Sequence, residues 1–263
     1  MVDHQNKLAD ILLRSKKRDY RRVYNFFYQE RIKSNAGNPY GSPFFKKLCK
    51  FFFFIPNYNY IRYYFYLFKT IGISSDLKIL DIGCGDGLLS IALAKKKNFI
   101  IGIDVSDVSI ELANKNKIIF NCERATFRQM DCLSLLFPNN YFDLAIGFDL
   151  IEHLHPDDLF PHLKEIHRIL KKNSMYLIST PNKIFYKSGG LHLKTYTHSS
   201  IEKILSQKFF IKSPVFNWNP FFMNNQSLFY LKKIIEKFVV KFKFLQALSS
   251  PFINPVIINV YKK

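Results

Sequence analysis

With 263 residues, 48% of them hydrophobic, the chain is long enough to bury a core and fits one large α/β domain or two small ones. No run approaches the ~18 uninterrupted apolar residues of a membrane span, and residues 1–13 lack the apolar run of a secretory leader. The four cysteines include no Cys-x-x-Cys pair, which argues against a zinc ribbon or a disulfide scaffold and for a reduced, cytoplasmic setting. The formal net charge of +19 is uneven: residues 1–75 hold 14 Lys and Arg against 4 Asp and Glu, residues 76–182 hold 12 against 14, and residues 183–263 hold 13 against 2.

Residues 1–75 read as a basic, aromatic, helical extension or lid, and 76–263 as the main domain. From Asp76 onward short apolar runs alternate with helical patterns, the signature of βαβ units and a parallel sheet. Lys78–Ile82 is the first expected strand and Leu88–Lys96 the helix after it. Phe99–Ile103 is the second strand, and Ser106 is placed to cap a helix over Ser106–Asn116. Thr126–Met130 and Phe142–Phe148 follow as strands, then a helix over Pro156–Lys171 and a strand, Met175–Thr180, stopped by Pro181. Beyond it the pattern gives a helix over Ser200–Gln207, with His198 as a candidate cap. A strand over Phe209–Phe216, an amphipathic helical insert over Leu228–Leu248 and a last strand, Val256–Tyr261, complete the chain. The expectation is an α/β, Rossmann-like, doubly wound and mostly parallel seven-stranded sheet.

The most informative segment joins the first strand to its helix: Asp81-Ile-Gly83-Cys-Gly85-Asp-Gly87. Glycines there let backbone approach a ligand closely, and the helix N-terminus offers free N–H groups. A dinucleotide fingerprint would need a third glycine at position 88, which is Leu88. An acid two residues before the first glycine suits a ligand with a cationic amino group rather than a pyrophosphate. Cys84 within the turn is read as a small packing residue.

This D-x-G-x-G-x-G turn resembles motif I of the class I S-adenosylmethionine (SAM) methyltransferases, and the likeness continues from Lys78 to Asn182. It implies that Asp104, ending the second strand, accepts from both ribose hydroxyls. It further implies that Asp131 faces the adenine amino group, with the Cys132 backbone serving the ring. The main-chain carbonyl of Phe148 would take the methionyl amino group. Asp81, Gly83, Gly85 and Gly87 complete the expected cofactor set. The other reading of Asp104 and Asp131 is that they are ordinary turn carboxylates.

After the fourth strand the chain lacks the Asn/Asp-Pro-Pro-aromatic turn of amino-methylating nucleic-acid enzymes and the Pro-Cys turn of pyrimidine methylases. Instead it has Asp149-x-x-Glu152-His153, with His192 downstream. This resembles the ubiquinone-pathway O-methyltransferases and, more distantly, the small-RNA 3′-terminal 2′-O-methyltransferases, although both more often have Glu where Asp149 stands. The resemblance implies O-methylation of a small hydroxylated acceptor, lipid-linked, quinone-like or glycan. RNA ribose 2′-O-methylation is the alternative, and a non-catalytic SAM-fold subunit the third reading. Three roles stay open for the acid–histidine group. Asp149, Glu152, His153 and His192 could hold a divalent ion such as Mg²⁺, which would lower the pKa of the acceptor hydroxyl. His153 could be the general base, oriented by a carboxylate such as Glu152 or Asp149. The pair could also simply close the pocket floor. His155, His162 and His167 are read as surface or packing residues.

The flanks carry aromatics over Phe51–Phe68 and lysines interleaved with apolar residues over Leu228–Phe244. Three readings compete: a helix packed on the sheet, contact with an anionic membrane surface, and contact with RNA, which the scarcity of Arg disfavours. An AT-rich codon bias would also enrich Lys, Asn, Ile, Phe and Tyr. The expected location is cytoplasmic, with membrane association as the further expectation.

Overall fold

The computed structural model describes residues 9–13, 19–33, 72–181, 183, 191–216 and 256–262. Its centre is Lys78–Ile82 (β1), buried from its second residue onward, as a strand covered on both faces must be. Phe99–Asp104 (β2) lies parallel on one side of β1, and Phe142–Phe148 (β4) on the other. Ala125–Gln129 (β3) extends the sheet beyond β2 and Leu170–Thr180 (β5) beyond β4, both parallel. Past β5, Val256–Lys262 (β7) runs antiparallel, and Phe209–Phe216 (β6) pairs antiparallel with β7 in turn. The order is β3-β2-β1-β4-β5-β7-β6.

Helix Tyr20–Lys33 (α1) precedes the sheet, and Leu88–Ala94 (α2), Asp107–Ile119 (α3), Pro156–Ile169 (α4) and His198–Leu205 (α5) are interspersed with its strands. The two-residue period of the strands sends alternate side chains to opposite faces. Leu80, Ala145, Tyr176 and Ile178 pack with Leu163 and Ile166 of α4 and Ile201 and Leu205 of α5. Ile79, Leu144, Ile146 and Leu177 pack with Leu89 and Leu93 of α2 and Ala113 of α3. Two faces therefore carry two cores, the doubly wound arrangement.

Several boundaries differ from the expectations. Strand β5 starts at Leu170 rather than Met175, because its register against β4 shifts between Phe142 and Leu144; Asn173, at φ 62°, lies in that irregular stretch. The cap of α5 is Thr197, not His198: its hydroxyl accepts from Ser200 N while Ser200 Oγ closes the reciprocal bond. Ser106 caps α3 as expected, accepting from Ser109 N. The basic segment before Asp76 is more than an appendage. Ala9, Leu12, Tyr20 and Val23 form a third buried cluster with Leu154, Leu191 and Leu193. The expected aromatic lid over Phe51–Phe68 and the helix over Leu228–Leu248 lie outside the described residues.

Candidate functional site

The sheet order reverses between β1 and β4, and in such sheets the crevice at the carboxyl ends of the strands is where ligands bind. The turn after β1 fills that place. Gly83, Gly85 and Gly87 all have positive φ, at 68°, 54° and 74°. A side chain at Gly83 would also bring a Cβ within 3.1 Å of Leu150 Cδ1. The turn is anchored to β2 by Cys84 N donating to Ile103 O at 2.9 Å. Gly85 N donates to Asp104 Oδ2 at 3.1 Å and Ser106 N to Asp104 Oδ1 at 2.9 Å. Asp104 is thus oriented through both oxygens. Burial pushes its carboxyl above the ordinary range. Asp81, buried and accepting from Ser90 Oγ at 2.5 Å, is pushed up to about 7 by the same desolvation.

These residues open on a cavity of about 500 Å³, within the range of small-molecule sites. Of the expected cofactor residues, Asp81, Gly83, Gly85, Asp104, Asp131, Cys132 and Phe148 line it. Gly87 does not. A Cβ there would lie 2.6 Å from Phe127 Cζ and 2.8 Å from Ala113 Cβ, so this glycine serves helix–strand packing. Cys84 is buried, and burial raises its thiol pKa well above the usual value, in keeping with a packing role.

Asp149, His153 and His192 also line the cavity wall. The turn Ile151–His153 follows β4, and the Glu152 carbonyl accepts from Leu193 N at 2.8 Å and Lys194 N at 3.2 Å. That clamp brings His192 beside His153, with ring centroids 4.8 Å apart. Nδ1 of His153 lies 2.9 Å from Leu191 O. A carbonyl only accepts, so Nδ1 carries the proton and Nε2 keeps its lone pair. Burial, with the neighbouring His192, lowers the His153 pKa to about 4, which keeps the ring neutral at pH 7.

Glu152 is fully buried behind this wall, and both carboxyl oxygens lack a hydrogen-bond partner among the described residues. Burial first, then the charge of Asp149, drives its pKa well up. One ligand atom from each of Glu152, His153 and His192 lies within 4.8 Å of the others. Asp149 does not join that group. It sits at φ 51°, and its carboxylate accepts from Ser179 Oγ at 2.9 Å while its N–H donates to Ser179 O at 3.0 Å. The short Asp side chain is held back on β5.

His162 is a packing residue, as expected: it is fully buried, with Nδ1 3.2 Å from Cys132 O and Nε2 2.9 Å from Tyr176 OH. Within residues 1–75, read from the sequence as a helical extension or lid, no individual residue is singled out for the site; Tyr20, Tyr24, Phe27 and Tyr28 of α1 line the cavity, at the i, i+4, i+7, i+8 spacing of one helix face. That spacing is legible in the sequence, whereas the docking of the helix is not.

Residues 79–173 match the family model described as a methyltransferase domain. That stretch is similar to methyltransferase domains. A 112-residue stretch is 35% identical to the ubiquinone biosynthesis O-methyltransferase of Pelagibacter ubique, covering 41% of this chain and 43% of that protein. A probable S-adenosylmethionine-dependent methyltransferase of Mycolicibacterium smegmatis is 27% identical over 111 residues, covering 42% and 40%. The chain thus spans less than half the length of these relatives. Its fold is shared with the magnesium protoporphyrin IX methyltransferase of Synechocystis in a structure with bound SAM. That comparison gives a TM-score of 0.60 and 15% identity, covering 95% of this chain and all of the other. The glycine turn, Asp104, His153 and His192 thus share one cavity.

Proposed function

We propose that the protein transfers the methyl group of SAM to a hydroxyl oxygen of a small acceptor, lipid-linked or quinone-like, as the names of its relatives suggest. The observation that carries this reading is the neutral imidazole of His153, its Nε2 lone pair uncommitted, on the same cavity as the glycine turn and Asp104.

The residues fit the cofactor. Asp104 would accept from the ribose hydroxyls, Asp131 and the Cys132 backbone would serve the adenine, and the Phe148 carbonyl and Asp81 the cationic methionyl end, all of them lining the cavity. Bound SAM supplies an electrophilic methyl on a sulfonium sulfur. Gly83 and Gly85 let the turn close on it, and the α1 aromatics exclude water, so the acceptor oxygen is positioned and desolvated. A base with a pKa near 4 does not ionise a free hydroxyl beforehand. It takes the proton as the O–CH₃ bond forms, when the oxygen becomes strongly acidic, and Nε2 is the atom that receives it.

A second reading adds a divalent cation, favoured by one observation: an enclosed, unpartnered carboxyl beside two imidazoles. Glu152, His153 and His192 would hold it, a donor set suited to Mn²⁺ or Zn²⁺ more than to Mg²⁺. It would lower the pKa of the acceptor hydroxyl. The strongly basic stretches at 1–75 and 183–263 suit an acceptor presented at an anionic membrane surface.

The test is purified protein with labelled-methyl SAM and total cell extract, fractionated into organic-soluble, RNA, glycan and protein pools. The expected label is organic-soluble, and His153→Gln should cut transfer by ~100-fold or more with SAM binding retained. Label in RNA would replace this acceptor with ribose. SAM binding with no transfer in any pool would leave a non-catalytic subunit. Suppression by EDTA, reversed by Mn²⁺, would establish the cation, and full activity in chelator would remove it.

A further inference from the structure

Helix α1 is fixed over the cavity from both flanks. On one, Arg21 Nε and Asn25 Nδ2 donate to Asp107 Oδ2 at 2.9 and 3.2 Å, and Ser106 Oγ donates to Asn25 Oδ1 at 2.8 Å. On the other, Tyr20 OH donates to Asp158 Oδ2 at 2.8 Å and accepts from His155 N at 2.7 Å. Tyr24 follows Tyr20 by one turn, so its ring points the same way, into the cavity. Its edge meets His153 at 5.9 Å and 90°, and Phe27 at 6.4 Å.

The hydroxyl of Tyr24 is sealed from solvent, yet it has no hydrogen-bond partner among the described residues. Tyr20, four residues earlier, satisfies its own hydroxyl twice. The two charges nearest Tyr24 in effect are Asp104 and Glu152; with burial as the largest cause, they drive its ionisation well above the usual tyrosine range. The phenol is therefore an O–H donor, and Tyr24 lines the same cavity as Asp104, the carboxylate proposed to face the ribose. Ribose hydroxyls that donate to a carboxylate retain lone pairs, and those lone pairs need a donor from the opposite side.

We propose that Tyr24 is a cofactor-binding residue, its hydroxyl donating to a ribose oxygen that Asp104 holds from below. The proposal rests on the reading of this cavity as the SAM site. It makes α1 part of the binding site, so that the cofactor is clamped between β2 and that helix.

The experiment uses the full-length chain and its Tyr24→Phe variant, titrated calorimetrically with SAM and with 5′-methylthioadenosine, which keeps the ribose and lacks the amino-acid arm. Phenylalanine preserves the edge contacts with His153 and Phe27. We expect affinity for both ligands to fall by the same factor, about 5- to 20-fold, the loss of one buried hydrogen bond. The ligand-free variant should melt no lower than the parent, because an unpartnered buried hydroxyl has been removed, while the ligand-induced rise in Tm shrinks. Unchanged affinity for both ligands, or a loss confined to SAM, overturns the ribose contact. A ligand-free variant that melts lower shows that the hydroxyl has a structural partner, and overturns it too. Failure of the parent protein to bind SAM would instead overturn the assignment of the cavity.

Discussion

Two buried imidazoles, His153 and His162, are each fixed through Nδ1 to a backbone carbonyl, Leu191 in one case and Cys132 in the other. They differ at Nε2. In His162 it accepts from the Tyr176 hydroxyl, and in His153 it faces the cavity. Burial lowers the pKa of His162 to about 4, against ~6.5 in an unfolded chain. A group depressed in the folded state contributes stability that is present above the unfolded pKa and is lost as pH falls from there through the folded one. Between pH 7 and pH 5 this loss is about 2 kcal/mol from His162 alone. Asp81, pushed up to about 7, works in the opposite sense over the same range, so the contribution must be isolated by subtraction. His162→Gln lowers stability at pH 7 through its lost packing. The cost of the substitution should shrink by about 2 kcal/mol at pH 5, measured by urea unfolding at the two pH values. An equal cost at both would mean that His162 is not held neutral by the fold.

At the scale of elements, the docking of β2, β3 and α2 turns on one aromatic ring. Phe127 of β3 lies in a slot floored by Gly102 on β2 and Gly87 at the start of α2. A Cβ at either glycine would come within 2.6 Å of the ring. Gly102→Ala should therefore destabilise the domain by about 1–3 kcal/mol, read as a lower Tm. Phe127→Leu in the same chain should restore part of the loss, whereas no rescue would place the strain in the β2 backbone instead. In the sequence Gly102 is one small residue in an apolar strand, because its partner sits 25 positions away on another element. The same distinction separates what could be read in advance from what could not. Strands β1 to β4, the glycine turn and the carboxylates at the strand ends follow from local periodicity and turn chemistry. Their meeting in one cavity follows from the parallel crossover. The docking of the helix expected in residues 1–75 does not, since its position depends on pairs such as Tyr20 with Asp158, 138 residues apart. Nor does the retreat of Asp149 from its neighbours, which is decided by a serine on β5.

Over the whole molecule, charge separates what the fold unites. Residues 76–182 hold nearly balanced charge, while the stretches on either side are strongly basic, so the field around the protein is dominated by those stretches. Among the described residues no helix is long and apolar enough to cross a membrane. Each Lys or Arg near an anionic surface contributes about 1 kcal/mol, and the attraction decays over a Debye length of about 8 Å at physiological ionic strength. The protein should therefore co-sediment with phosphatidylglycerol vesicles and not with phosphatidylcholine vesicles, and should be released progressively by added salt. A codon bias toward lysine with no surface function would give charge without this selectivity, for instance weak retention on both lipids. Single-stranded RNA is also a polyanion, but its tight binding adds base stacking on aromatics to the salt-sensitive term. RNA that displaces the protein from vesicles at equal phosphate, and stays bound after salt has released the lipid, would therefore shift the acceptor toward nucleic acid. Displacement by salt alone, with RNA no better than any other polyanion, keeps the basic stretches at the membrane surface.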